Sequence, residues 1–195
     1  MIFPTTPSQT VGPYYAIGLP WDDGHQVVPA GTPGAITLHG SVYDGRGVLI
    51  PDHLIETWQA DPEGRFADLH GAGPEGPSTL AGFRGFGRCG HESGDGTYAI
   101  TTVKPGRVPI RVAGRDDEVL QAPHVDVSLF ARGLLDRVVT RIYFGDEAQA
   151  NATDPVLSAV PDERRATLIA QPDGEGSYRF DIRLQGAGET VFFAV

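Results

Sequence analysis

A chain of 195 residues, 40% of them hydrophobic, is expected to fold as one domain with a sizeable core, and its formal charge of -10 leaves no basic stripe for nucleic acid or an anionic membrane. A small anionic substrate stays open, because one nearby arginine outweighs a distant field. The lone Cys89 excludes an internal disulfide and reads as an inert, small apolar residue.

The opening MIFPTTPSQT has neither a basic stretch nor an apolar run, so no signal peptide is expected. Uninterrupted apolar runs of about 18 residues are also missing, so a soluble, cytoplasmic protein is the expectation. Residues 1–34, rich in Pro, Gly and Thr, read as an extended arm on a single domain whose remainder, 35–195, is a β-sandwich. From residue 35 the period is that of strands. AITLHGSVYD (35–44) reads as a strand and DGRG (44–47) as a tight turn. LIPDHLIETWQAD (49–61) reads as a second strand, and 62–96 as mostly loop. GDGTYAITTVKPG (94–106) reads as turn, strand, turn. HVDVSLFA (124–131) and RVVTRIYF (137–144) read as a strand pair around Gly133, and SYRFDIRLQ (177–185) and ETVFFAV (189–195) as a last pair. PDERRATLIAQ (161–171) carries the best helix signal, with Pro161 in a first turn and Asp162 and Glu163 at its positive end. The sum is an all-β sandwich with long loops and one or two short helices.

Six segments in order carry a resemblance: TPSQTVGPYY (6–15), ETWQADPEGRF (56–66), GDGTYAITTVKPG (94–106), APHVDVSLFARG (122–133), TRIYFGDEAQAN (140–151) and YRFDIRLQGAGETVFF (178–193). Together they resemble the intradiol ring-cleavage dioxygenases, in the version found in the iron-free, alpha-type chain of the two-chain members. The resemblance implies a β-sandwich with peripheral loops and helices. It implies that in catalytic chains two tyrosines and two histidines hold Fe(III), a donor set suited to a hard trivalent metal. It further implies that the complex cleaves protocatechuate with O2 to 3-carboxy-cis,cis-muconate.

At the four ligand positions of that pattern this chain has Phe66, Arg107, His124 and Asp126. Phe offers no donor atom, and a guanidinium repels a cation. His124 and Asp126 lie two apart on one strand and share a face. Two possible ligands remain where four are needed, so no metal is expected on this chain. A salt bridge between Arg107 and Asp126 is the expected filling of the site. Fe(III) is then expected in a homologous beta-type partner, within a larger oligomer of alpha–beta pairs.

For the arm, the bland reading is that Tyr14 and Tyr15 pack it onto the sandwich. The resemblance implies instead that Thr10, Gly12, Pro13 and Tyr14 cross to the partner and line its substrate pocket. For Arg132 the bland reading is an edge-strand arginine in solvent, and the implied one is a contact with the substrate's carboxylate. Trp21 and Trp58 read as core or interface aromatics, and Tyr43, Tyr98, Tyr143 and Tyr178 as packing residues in strands. Asp61, Glu63, Asp116, Asp117 and Glu118 read as solvated loop carboxylates. No nucleotide-binding glycine motif and no nucleophile elbow is present. Two rival readings are a homomeric dioxygenase with an altered metal shell and a non-catalytic β-sandwich binding module.

Overall fold

Strand-forming alternation begins at Ala35, and the computed structural model describes residues 18–67, 76–90, 96–111, 114 and 117–194. In chain order these contain β1 (Ala35–Tyr43), β2 (His53–Trp58), β3 (Phe86–Cys89), β4 (Thr97–Val103), β5 (Pro109–Arg111) and β6 (Glu118–Leu120). There follow β7 (His124–Ala131), β8 (Val138–Phe144), β9 (Ile169–Pro172), β10 (Ser177–Arg179) and β11 (Ile182–Arg183). Three short helices, α1 (Ala148–Asn151), α2 (Pro155–Ala159) and α3 (Asp162–Arg165), sit between β8 and β9.

The strands form two layers. In one, β1 lies between β4, antiparallel, and β10, parallel. In the other, β7 lies between β2 and β8, both antiparallel, with β3 outside β2. β9 joins them: Ile169 and Ala170 pair with β8, while Gln171 and Pro172 pair with β10. A strand that serves both sheets in turn makes a corner of the sandwich. Between the layers the alternate residues Leu38, Ile55, Ile100, Val127, Leu129 and Ile142 are buried. Parts of the segment before β1 join this core, where Val27 and Val28 are almost inaccessible.

β10 and β11 keep the same register on β1, Thr37 opposite Ser177 and Val42 opposite Ile182, so they form one strand interrupted at Phe180 and Asp181. Gly40 faces the interruption. A Cβ on it would lie 1.9 Å from the Phe180 carbonyl oxygen, and that oxygen also accepts the buried Tyr98 hydroxyl. The turn after β1 is organised by Asp44, whose carboxylate accepts the Arg46 and Val48 N–H groups, both at 2.8 Å, with Gly47 at φ 76°.

Several expectations need correction. The C-terminal segment 189–194 is not the second strand of a hairpin. It forms one β-bridge, Val139 to Phe193, and bonds Arg183 of β11 through the N–H and hydroxyl of Thr190, while the parallel edge of β1 takes β10 and β11. The helix expected over 161–171 ends early. α3 passes into a 3-10 turn at Ala166–Leu168, and Ile169 starts β9, where a β-branched residue fits the sheet better than another helical turn. α1 and α2 carried no strong periodic signal. α2 starts because the buried Asp154 accepts N–H groups from Val156 and Leu157, with Pro155 in its first turn. β3 lies inside the stretch read as loop. Among the described residues no helix is long and apolar enough to cross a membrane.

Candidate functional site

Alternation along β7 sends Val125, Val127 and Leu129 into the core and leaves His124, Asp126 and Ser128 on the opposite face. Register decides their neighbours. Asp126 stands between Trp58 of β2 and Arg141 of β8, and Ser128 between Glu56 and Val139. His124 stands opposite Tyr143. One step further out, Phe86 of β3 pairs with Trp58, and Arg88 with Glu56.

Phe66 reaches this face through an ordered loop. The buried Asp61 carboxylate accepts N–H groups from Glu63 and Arg65 and the hydroxyl of Ser78, so it builds the loop rather than simply meeting solvent. Glu118, also read as solvated, pairs with Arg111 at 3.2 Å, and Asp116 lies outside the described residues. The Gly106 N–H bonds the Asp61 carbonyl, and a Cβ on Gly106 would meet the Pro62 carbonyl oxygen at 2.3 Å. Glycine thus lets the loops bearing Phe66 and Arg107 pack backbone to backbone. The Phe66 ring then lies flat on Trp58, with centroids 5.8 Å apart and planes 4° apart.

The polar groups at the four positions are all engaged. His124 Nδ1 lies 2.7 Å from the Ala122 carbonyl, so that nitrogen carries the proton. Burial first, and the Arg141 guanidinium second, hold His124 below its ordinary pKa. The Asp126 carboxylate accepts from Arg141 Nε at 2.7 Å. Arg107 does not pair with Asp126. It donates from Nε to the Gln121 carbonyl at 3.1 Å and from Nη2 to the Leu120 carbonyl at 2.8 Å, stapling its loop to the strand that leads into β7. The charge pairing expected of Arg107 falls to Arg141, because β8 is hydrogen-bonded to β7 in a register that sets the two side chains opposite each other.

These residues do not fit a ferric ion. Phe66 has no donor, Arg107 is a cation, and Asp126 is already neutralised by a guanidinium. The neighbouring phenol of Tyr143 does not replace them. Burial raises its pKa, and its hydroxyl donates to Asp154. Among the described residues no three His, Cys, Asp or Glu side chains gather as a metal site.

Arg132 lies at the far end of β7, roughly 26 Å from His124 at the usual rise per residue. Its side chain is 70% exposed, and Nε lies 3.0 Å from an Asp52 carboxylate oxygen. The structure therefore does not bring it together with Asp126. Thr10, Gly12, Pro13 and Tyr14 lie outside the described residues. Sequence reasoning missed Arg141 as the partner of Asp126. The available signal was hairpin register, since pairing β7 with β8 about a turn centred between Gly133 and Leu134 puts 126 opposite 141.

The family described as Dioxygenase matches residues 10–186. The protocatechuate 3,4-dioxygenase alpha chain of Pseudomonas putida is 44% identical over 98% of this chain and 97% of its own length. The protocatechuate 3,4-dioxygenase beta chain of Burkholderia cepacia is 34% identical over 80% of this chain and 66% of its own. Among solved structures, the 3-chlorocatechol 1,2-dioxygenase of Rhodococcus opacus 1CP superposes with a TM-score of 0.61 at 21% identity, covering 91% of this chain and 70% of its own. That last likeness concerns the fold, which it gives as the sandwich described above. The chain belongs to the intradiol ring-cleavage dioxygenase family, and along nearly all its length it is similar to the alpha chains of that family.

Proposed function

We propose that this chain is the iron-free subunit of a two-chain protocatechuate 3,4-dioxygenase. A homologous beta-type partner holds Fe(III), and the pair cleaves protocatechuate with O2 to 3-carboxy-cis,cis-muconate. The observation that carries this reading is the filling of the four ligand positions, above all the 2.7 Å contact that commits Asp126 to Arg141. A buried or half-buried ion pair of this kind resists exchange for a metal, because releasing the carboxylate leaves the guanidinium without its counter-charge.

In this reading the chain works on a site it does not own. Thr10, Gly12, Pro13 and Tyr14 form a wall of the partner's substrate pocket. Arg132, exposed and held only by Asp52 among the described ion pairs, turns its cation toward the substrate's carboxylate. Pairs of the two chains assemble into a larger oligomer.

Co-expression with a beta-type chain tests the proposal. The expected result is one iron per pair and ring cleavage by the complex, with neither in the chain purified alone. Stoichiometric ferric iron and unaided cleavage by the single chain would overturn it.

A further inference from the structure

The outer face of β7 and β8 holds a hollow of about 380 Å³ beside the filled ligand positions. Strand alternation brings Asp126 and Ser128 of β7 together there with Val139 and Arg141 of β8, and Arg137 reaches in from the residue before β8. Val156 of α2 and Phe193 complete the walls, and both are held in place. The buried Asp154 carboxylate accepts the Val156 N–H at 2.9 Å, and the Phe193 N–H bonds the Val139 carbonyl at 2.8 Å.

The charges around this hollow do not cancel. Asp126 is matched by Arg141, and Glu56, in the adjoining hollow of about 260 Å³, by Arg88 at 2.9 Å. Arg137 lines both hollows and has no carboxylate partner among the described residues, only a 3.4 Å contact with the Ser128 hydroxyl. One cation is therefore left over locally, on a chain whose formal charge is -10. Arg141 adds a second unmet demand, because its Nη1 is buried with no hydrogen-bond partner. A buried N–H in that state is destabilising until an acceptor reaches it.

We propose that this hollow binds a small monocarboxylate whose body is a single apolar ring. The carboxylate lies on Arg137 with Arg141 as second donor, and the ring lies against Val139, Val156 and Phe193. A guanidinium fork matches the two oxygens of a carboxylate. Val156 and Phe193 also wall a larger, mostly apolar hollow of about 600 Å³, so the end of the ligand remote from its charge meets hydrocarbon. A bare inorganic anion would use the arginines and leave those walls wet. The volume stands at the low end of ligand cavities and suits one ring better than a fused system. Asp126 sets the pose, because its carboxylate borders the same hollow and repels the ligand's charge toward Arg137.

Titration of the full chain with 4-fluorobenzoate, followed by fluorine NMR, tests the site. The expected result is saturable binding that Arg137→Ala weakens about tenfold, the scale of one charge-assisted contact, and that Arg137→Lys largely restores. Asp126→Asn should tighten binding about threefold, the effect of removing one like charge a few ångströms away at a wet surface. Neutral 4-fluorobenzamide should not bind, and acetate should displace the probe far less well than benzoate. Absence of saturable binding, an unchanged Kd in Arg137→Ala, or equal binding of the amide overturns the proposal. Acetate that competes as well as benzoate overturns the part assigned to Val156 and Phe193.

Discussion

Asp126 and Arg141 sit side by side in a setting where the carboxylate is 38% and the guanidinium 20% exposed. Breaking such a pair leaves a half-buried cation without its partner, at a cost between that of exposed and fully buried pairs. Asp126→Ala is expected to lower stability in urea denaturation by about 1–3 kcal/mol. His124 offers a second readout. Burial holds its folded pKa below 6.5, so between that lowered value and 6.5 the unfolded chain binds more protons than the folded one. Stability is therefore complete above 6.5 and is lost as pH falls beneath it. In His124→Gln the decline of unfolding free energy below pH 6.5 should be shallower than in the parent chain. The role proposed for Arg132 concerns the partner's site instead. In the complex, Arg132→Ala should raise KM for the carboxylated substrate by about tenfold, the scale of one charge-assisted contact, while kcat changes little. A KM that stays put excludes that role.

Elements were legible where one face was buried and the other wet. β7 stands at the residues its alternation marks, and β1 and β8 differ from expectation by one residue each. What the sequence hid was partnership. Nothing local in SYRF or DIRL says that they pair in parallel with a strand near the other end of the chain. The same holds for the site. Phe66 and Arg107 announce by side-chain chemistry that they bind no metal, but only register reveals that Asp126 belongs to Arg141. Asp154 is a further case, read neither as a cap nor as a clamp. It accepts from Val156 and Leu157 at the start of α2, from Ala122 ahead of β7 and from the Tyr143 hydroxyl. Removing a fully buried acceptor strands four donors. Asp154→Ala should therefore cost about 2–4 kcal/mol, more than an ordinary helix cap, and Asp154→Asn should recover part of it. Equal losses for the two variants would count against the clamp.

At the level of the molecule, a chain without a fitting ligand set gains nothing from iron. A ligand that binds only the folded state raises its melting temperature, by an amount that grows with the logarithm of its concentration over Kd. Ferric or ferrous salt is expected to leave the Tm of the isolated chain within about 1 °C, while iron removal lowers that of the complex by several degrees. A clear upward shift in the isolated chain would place a site on it.

The pairing of β1 also has a consequence for how the protein is made. Its link to Asp181 spans 140 residues, whereas β4 covers the other side of the strand much sooner. On the ribosome, β1 therefore waits with bare amide and carbonyl groups until β10 and β11 have emerged. Such an open flank is a template for unwanted pairing between neighbouring nascent molecules. A stop codon shortly before Ser177 would thus yield a sticky, unfinished product instead of a slightly trimmed one, and translation of Ser177–Arg183 governs whether β1 is safe.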